Sequence, residues 1–217
     1  MLKTCLLNPL FTEPIDQKRE RYFVRSGSRW PASYTKPTGR VGRYIPFPFY
    51  LAYAAAILER ASCPVTVADA VAENLPVGAV LSFVRDEHPD LIVYETTTPT
   101  LQRDLGLARQ IKAVAPTAEI ALCGPHATTF PNEVLEEESS VDYVLLYEYE
   151  NTLHELVTKK SSGQDLASLS GIAYRQNGEI VLKPQYQPID PLDQLPFPAR
   201  HLFPDPRRPD PNVYWDG

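Results

Sequence analysis

The chain alternates between short apolar runs and longer segments whose apolar residues recur every three or four positions. The short runs are rich in β-branched and aromatic residues and end in polar or turn residues, which is typical of buried strands. The longer segments have the periodicity of amphipathic helices. We predict strands at residues 3–9, 65–70, 90–97, 119–124 and 141–148. We predict helices at residues 50–62, 78–89, 101–116, 131–139 and 151–160.

This alternation predicts an α/β fold. Strands that are apolar on both faces, with helices between them, are what a parallel sheet covered on both sides requires. We therefore predict a doubly wound, Rossmann-like sheet of five parallel strands within residues 1–162. The chain has 217 residues, 43% of them hydrophobic, and this suffices to bury such a core.

Two segments depart from the alternation. Residues 10–49 form a long first crossover that mixes charge, aromatic residues and prolines without sustained periodicity, and we predict a loop that serves as a lid or a partner surface. Residues 163–217 begin with a β-hairpin, because Asn177-Gly178 favours the tight turn of hairpins. Nine prolines at residues 184–211 then exclude helices and predict an extended, proline-rich linker.

Charge, hydropathy and cysteine spacing exclude several classes of function. The net charge of −6 includes no basic stripe, so nucleic acid is not an expected partner. No segment has the roughly 18 continuous apolar residues that span a bilayer, and the first ten residues lack the features of a signal peptide, so we expect a cytoplasmic protein. Cys5, Cys63 and Cys123 lie far apart, which predicts reduced, buried thiols and no structural zinc site.

The predicted strands end in small and polar residues. The ligand site of an open parallel sheet lies beyond the carboxyl ends of its strands, near the reversal in strand order. Four threonines after the third strand can donate hydrogen bonds to a ligand, or they only cap the helix that follows. The fingerprint GxGxxG is missing, which argues against a nicotinamide or flavin dinucleotide. The residues at the five ends are Asn8 and Pro9, Asp69, residues 95–100, residues 124–128, and residues 148–150.

Four segments go beyond a general α/β pattern. They are PFPFYLAYAAAILERASCPVTVADA, PDLIVYETTTPTLQRDLGLARQIKAVAPTAEIALCGPHATTFPNEVLEE, VDYVLLYEYENTLHEL, and GIAYRQNGEIVLKP with PIDPLDQLPFPAR. In this order they resemble the N-terminal cobalamin-binding domain of cobalamin-dependent radical S-adenosylmethionine enzymes. The likeness covers residues 44 to about 203, and residues 1–9 fit the first strand of that family.

The resemblance implies a corrinoid that lies across the carboxyl ends of the strands, with its nucleotide tail in the crevice of the sheet. The corrin ring is a broad apolar disc fringed with amides, so hydroxyl and backbone partners around its rim are suitable. Gly124 is expected to let the backbone come close to the cofactor. No residue is expected to be catalytic or to bind a metal. The expected cobalamin-binding residues are Asn8, Pro9, Glu95, Thr96, Thr97, Thr98, Thr100, Gly124, Pro125, His126, Ala127, Thr128, Glu148, Tyr149 and Glu150.

The chain departs from the family at three places. Residues 123–126 read Cys-Gly-Pro-His where the family commonly has Gly-Gly-Pro-His, and residues 147–150 read Tyr-Glu-Tyr-Glu where it has Gly-Glu-Gly-Glu. The two tyrosines either narrow the pocket or stack on the tail or ring. The CxxxCxxC triplet that holds the [4Fe-4S] cluster and leaves an iron for S-adenosylmethionine does not occur. We therefore expect a piece of a longer protein with the catalytic barrel in cis, or else a carrier that serves a separate subunit.

His126 is the one histidine at a predicted strand end. The motif DxHxxG, with which corrinoid carriers place a histidine on cobalt, does not occur after the first strand. Hydrogen bonding to the tail or backbone and a structural role in the turn are the expected roles of His126, and cobalt ligation is the least favoured. The resemblance implies a methyltransferase that uses methylcobalamin on an unactivated carbon. The alternatives are a cyclase or oxidoreductase of the same family and a binding or sensory module that has lost cobalamin.

Overall fold

A computed structural model describes residues 1–24, 33–40, 42, 44–186, 188–204 and 214. These residues form ten strands, six α-helices and two 3-10 helices of three residues each, at Leu192–Gln194 and Arg200–Leu202. The strands are β1 (Thr4–Asn8), β2 (Thr12–Pro14), β3 (Arg19–Phe23), β4 (Ser33–Pro37), β5 (Val65–Asp69), β6 (Leu91–Glu95), β7 (Glu119–Cys123), β8 (Tyr143–Leu145), β9 (Ile172–Gln176) and β10 (Glu179–Lys183). The helices are α1 (Phe49–Arg60), α2 (Val77–Glu87), α3 (Leu101–Val114), α4 (Pro125–Thr129), α5 (Pro131–Glu137) and α6 (Glu150–Ser161).

Seven strands form one sheet in the order β10-β9-β8-β7-β6-β1-β5. Five strands, β5, β1, β6, β7 and β8, are parallel, and β9 and β10 extend the sheet as an antiparallel hairpin. Asn177 and Gly178 both have positive φ at the hairpin turn, as predicted. The order reverses between β1 and β6, because the chain first moves outward to β5 and then returns across β1. The predicted doubly wound α/β fold is therefore confirmed, and β1 and β6 flank its switch point.

Both faces of the sheet are covered. One hydrophobic cluster joins α1 and α6 to one face, and a second joins α2, α3 and α5 to the other. Successive strand residues point to opposite faces, so Leu6 lies in the first cluster and Leu7 in the second, and both are fully buried. This is why the strands read as unbroken apolar runs. The thiols of Cys5, Cys63 and Cys123 are free and buried, as predicted. No helix within the described ranges is long and apolar enough to cross a bilayer.

Residues 10–49 contain secondary structure that the apolar pattern did not predict. Strands β2, β3 and β4 form a separate antiparallel sheet. Arg103 at the start of α3 forms an ion pair with Glu13 of this sheet. The buried Lys36 of β4 donates a hydrogen bond to the Oδ1 atom of Asn74, 2.5 Å away. The small sheet is therefore tied to the main domain. Within the predicted loop, residues 25–32, 41 and 43 lie outside the described residues.

The proline-rich tail packs along helix α1. The backbone N–H of Ala199 donates to the carbonyl oxygen of Ala52 at 3.0 Å. The guanidinium carbon of Arg200 lies 4.3 Å from the centre of the Phe47 ring, which is a cation–π distance. The tail thus crosses a surface of the domain up to residue 204. The prediction that prolines exclude helices here was wrong, because Leu192–Gln194 and Arg200–Leu202 form single 3-10 turns between the prolines. Beyond that residue only Tyr214 lies within the described part of the chain.

Candidate functional site at the carboxyl edge of the sheet

The predicted site residues converge on one edge of the sheet. They follow β1, β6, β7 and β8, which are neighbouring strands. Their exposure separates an outer rim from a buried layer beneath it. The rim consists of Thr97, Thr98, Gly124, Pro125, His126, Thr128 and Glu148, which are all at least partly exposed. The buried layer consists of Asn8, Pro9, Glu95, Thr96, Thr100, Ala127, Tyr149 and Glu150.

Three of the four threonines after β6 form hydrogen bonds that stabilise the turn between β6 and α3. The Thr96 hydroxyl donates to the Oδ2 atom of Asp104 at 2.8 Å, and both residues are fully buried. The Thr97 backbone N–H donates to the Thr100 hydroxyl at 3.2 Å, and the two hydroxyl oxygens lie 3.0 Å apart. These bonds fix the start of α3. Thr98 is the one threonine of the four that is exposed.

Gly124 is required by a close approach within the protein. Its φ is +95°, which side chains rarely adopt. A Cβ atom at this position would lie 2.9 Å from the carbonyl oxygen of Thr96 and 3.4 Å from the Cβ atom of Glu95. We expected the glycine to admit a cofactor. The structure shows a reason within the protein, since the chain after β7 packs closely against the end of β6, and the approach of a cofactor stays a prediction.

Residues 125–129 form the short helix α4, in the connection that the sequence pattern left without a predicted element between residues 124 and 131. The helix was missed because five residues are too few to show a periodic pattern. The Nδ1 atom of His126 lies 3.0 Å from the hydroxyl oxygen of Thr98. The hydroxyl of Thr128 accepts a hydrogen bond from the backbone N–H of Tyr147 at 3.0 Å. Helix α4 therefore connects the segments that follow β6 and β8.

The two tyrosines that replace family glycines have different surroundings. Tyr147 has a φ of +58° and is exposed, and its hydroxyl donates to the carbonyl oxygen of Pro184 at 3.0 Å. Its ring also packs against the ring of Tyr186, 5.2 Å between centroids. Tyr149 is buried, and its hydroxyl donates to the Oε1 atom of Glu95 at 3.3 Å. Tyr147 thus binds the protein's own tail, whereas Tyr149 fills space beneath the rim.

The two glutamates beside these tyrosines also differ. Glu148 is exposed, and its Oε2 atom accepts a hydrogen bond from the backbone N–H of Ile189 at 3.3 Å. Glu150 is buried, and its Oε2 atom has no hydrogen-bond partner. Burial, together with the nearby carboxylates of Glu95 and Glu148, raises the pKa of Glu150 to about 7. Glu150 therefore changes its protonation state near neutral pH.

A second buried carboxylate lies at the ends of β1 and β5. The Oδ1 atom of Asp69 accepts hydrogen bonds from the side-chain amide of Asn8 at 2.9 Å and from the backbone N–H groups of Val71 and Ala72, both at 3.1 Å. The hydroxyl of Tyr214 donates to its Oδ2 atom at 2.7 Å. Burial raises the pKa of Asp69, and these bonds oppose the shift. The amide of Asn8 is thus committed to a partner inside the protein.

The rim fits a corrinoid, whereas the space beneath it is filled. Thr98, His126 and Glu148 offer hydroxyl, imidazole and carboxylate groups at the surface of the carboxyl edge. Groups of this kind suit the amides around a corrin ring. Beneath them, Tyr149 is 3% exposed and Cys123 is fully buried. The rim groups are thus of a kind that suits the ring, and Tyr149 and Cys123 fill the space beneath them.

Comparisons with known sequences identify the family of the chain. A family model described as the B12-binding domain matches residues 36–157, which is more than half of the chain. An uncharacterized methyltransferase of Pyrococcus horikoshii is 29% identical over 157 residues, which are 72% of this chain and 34% of that protein. The anaerobic magnesium-protoporphyrin IX monomethyl ester cyclase of Rubrivivax gelatinosus is 28% identical over 153 residues, which are 68% of this chain and 28% of that protein. The chain thus spans about a third or less of these curated relatives.

Solved structures share the fold. The radical S-adenosylmethionine methyltransferase TsrM from Kitasatospora setae, with cobalamin and a [4Fe-4S] cluster bound, has a TM-score of 0.61 and 17% identity, over 86% of this chain and 30% of that one. The cobalamin-dependent radical enzyme OxsB, with aqua-cobalamin and S-adenosylmethionine bound, has a TM-score of 0.65 and 13% identity, over 88% of this chain and 32% of that one. Together with the family match, the doubly wound sheet and its carboxyl-edge rim show that this chain belongs to the B12-binding domain family.

Proposed function

We propose that this chain is the cobalamin-carrying domain of a radical S-adenosylmethionine methyltransferase that acts on an unactivated carbon. The observation that carries the proposal is the convergence of a polar rim at the carboxyl ends of β6, β7 and β8, beside the switch point of a B12-binding sheet. The methyltransferase of Pyrococcus horikoshii is a relative at 29% identity and supports the reaction class. In such an enzyme the cofactor supplies the methyl group as methylcobalamin.

The share of this chain in that reaction is to bind and orient the corrinoid. Thr98 and Glu148 accept hydrogen bonds from the amides of the ring, and His126 bonds to the amides or to the tail. The [4Fe-4S] cluster and S-adenosylmethionine belong to a radical S-adenosylmethionine barrel, in cis or in a separate subunit, because this sequence contains no CxxxCxxC triplet. The chain is therefore a binding domain whose chemistry is completed by that barrel.

A second candidate is a cyclase or oxidoreductase of the same family. It is favoured by the cyclase of Rubrivivax gelatinosus, which is 28% identical over 153 residues, nearly the same as for the methyltransferase relative. The role of this chain is unchanged in that case. A binding or sensory module without cobalamin is the third candidate, and cobalamin retention distinguishes it from the first two.

Cobalamin retention tests the proposed function. Purified protein is incubated with hydroxocobalamin and then desalted. We expect about one equivalent to remain bound, since one rim holds one ring. We expect the bound cobalamin to have a base-off visible spectrum. Thr98→Val should weaken binding about three- to tenfold because it removes one hydrogen bond. Thr117→Val is the matched control, since this exposed threonine precedes β7 at the opposite edge of the sheet. Folded protein that binds neither hydroxocobalamin nor diaquacobinamide would contradict the proposal.

The role of His126 has a separate spectroscopic test. We expect His126→Ala to leave the visible bands of bound cobalamin at their wild-type wavelengths, because the imidazole bonds to Thr98 and is not expected to reach the cobalt. The matched control is His88→Ala, which alters an exposed histidine at the end of α2. A shift of the cobalt bands in the His126 variant alone would show that this histidine is a cobalt ligand.

A further inference from the structure

Four ionisable side chains meet beneath the rim, and we name them the buried quartet: Glu95, Cys123, Tyr149 and Glu150. Each of them is at most 5% exposed. The hydroxyl of Tyr149 donates to Glu95, and Glu95 pairs in register with Cys123 on the neighbouring strand. Burial raises the pKa values of Cys123 and Tyr149 as it does that of Glu150. A polar cluster of this kind is unusual within an otherwise apolar core.

The quartet lies beside the expected ligand crevice. Glu95 ends β6, one of the two strands at the switch point, and pairs in register with Cys123 of β7. Cys123 and Tyr149 belong to the hydrophobic cluster of the face that α1 and α6 cover, and these two helices pack against each other. The aromatic ring of Tyr149 therefore stands between the sheet and its helices at the carboxyl edge, where an open α/β sheet receives its ligand.

The quartet holds Tyr149 only weakly. Its bond to Glu95 is 3.3 Å long, which is beyond the usual range for a hydroxyl donor. The Oε2 atom of the adjacent Glu150 is buried without any partner, although buried polar atoms are nearly always paired. A ring-sized side chain thus fills a space that is lined by incompletely satisfied polar groups.

We propose that the ring of Tyr149 occupies the part of the crevice that the benzimidazole of the cobalamin nucleotide would enter, and that it makes this chain discriminate against corrinoids with that nucleotide. The inference rests on the proposed function, because it assumes that the rim binds a corrin ring. A benzimidazole is flat and larger than a phenol, so both cannot share the space. A corrinoid without the nucleotide, such as cobinamide, needs only the rim.

The test compares two corrinoids on matched variants by isothermal titration. Tyr149→Ala should bind hydroxocobalamin roughly tenfold or more tightly than wild type does, because a steric block is removed. Its affinity for diaquacobinamide should change little. Tyr149→Phe keeps the ring and should keep the wild-type preference. The matched control is Tyr143→Ala, since Tyr143 is equally buried and donates to Glu119 near the amino edge of the same sheet.

Each outcome bears on the inference. A Tyr149→Ala protein that shows the wild-type ratio of the two affinities, or an equal gain for both corrinoids, would overturn it while leaving the proposed function intact. If wild type and variant bind neither corrinoid, the proposed function fails and the inference fails with it. Tyr149→Leu serves as the second variant, with circular dichroism as the check of folding. Leucine removes the aromatic ring but fills more of the core than alanine does. The variant should show the same gain for hydroxocobalamin alone.

Discussion

Replacing Gly124 with alanine is expected to lower the free energy of unfolding by about 3 kcal/mol or more. Two effects add at this position. The backbone has φ +95° and ψ −178°, a conformation open almost only to glycine. The new methyl group would also lie 2.9 Å from the carbonyl oxygen of Thr96, a backbone atom that cannot rotate away. Urea denaturation followed by circular dichroism measures the loss.

Gly178→Ala is the matched control for this prediction. Gly178 has a similar φ of +86°, but a Cβ atom built there meets nothing within 4 Å. In this variant the free energy of unfolding should fall only by the cost of holding alanine at a positive φ, which is about 1–2 kcal/mol. The difference between the two variants therefore measures what is particular to Gly124, namely its extended backbone conformation at positive φ and the contact between the chain after β7 and the end of β6. Equal losses in both would contradict the close approach.

Replacing Glu150 with glutamine is expected to change how stability depends on pH. The folded-state pKa of Glu150 is about 7, above its ordinary value of 4.5, so the folded protein binds the proton more tightly than the unfolded chain. The resulting stabilisation is fully present below pH 4.5 and is lost as the pH rises through 7. A shift of this size corresponds to about 3 kcal/mol. Glutamine cannot ionise, so the stability of the variant relative to wild type should grow by about that amount between pH 4.5 and pH 8.

Unfolding curves in urea at several pH values between 4.5 and 8 test this expectation. Glu155→Gln is the matched control, because Glu155 lies on the same helix but is exposed. This variant removes the same charge without changing a buried group. Its free energy of unfolding plotted against pH should therefore run parallel to that of the wild type. A Glu150 variant that also runs parallel to wild type would show that this carboxyl is not protonated on burial.

The main sheet could be predicted from the sequence because its strands are buried on both faces. In β1, Leu6 and Leu7 pack into different hydrophobic clusters. Neighbouring positions of the strand are therefore both apolar, and the strand is visible in the sequence as an apolar run. The small sheet at β2 to β4 could not be predicted in this way. Its strand Arg19–Phe23 has exposed charged residues at its start and buried aromatic residues only at its end, so neither the apolar-run pattern nor strict alternation is visible.

The members of the site could be predicted, but their directions could not. Strand ends mark the edge, and this placed His126 and Tyr149 at the same edge of the sheet. Whether a side chain after a strand faces the rim or the core depends on the turn, and Tyr147 and Tyr149 show both outcomes two residues apart. The bond between Asn8 and Asp69 depends on β1 and β5 being neighbours, which requires the strand order.

Hydrogen–deuterium exchange with and without hydroxocobalamin tests the central claim most directly, because it reports where the corrinoid binds. The account predicts slower amide exchange in three segments at the carboxyl edge, residues 97–100, 124–128 and 147–149. It predicts no change at the opposite edge, in residues 115–118 and 138–142. Protection at the opposite edge, or no protection anywhere in protein that has retained cobalamin, would contradict a corrinoid site on the rim.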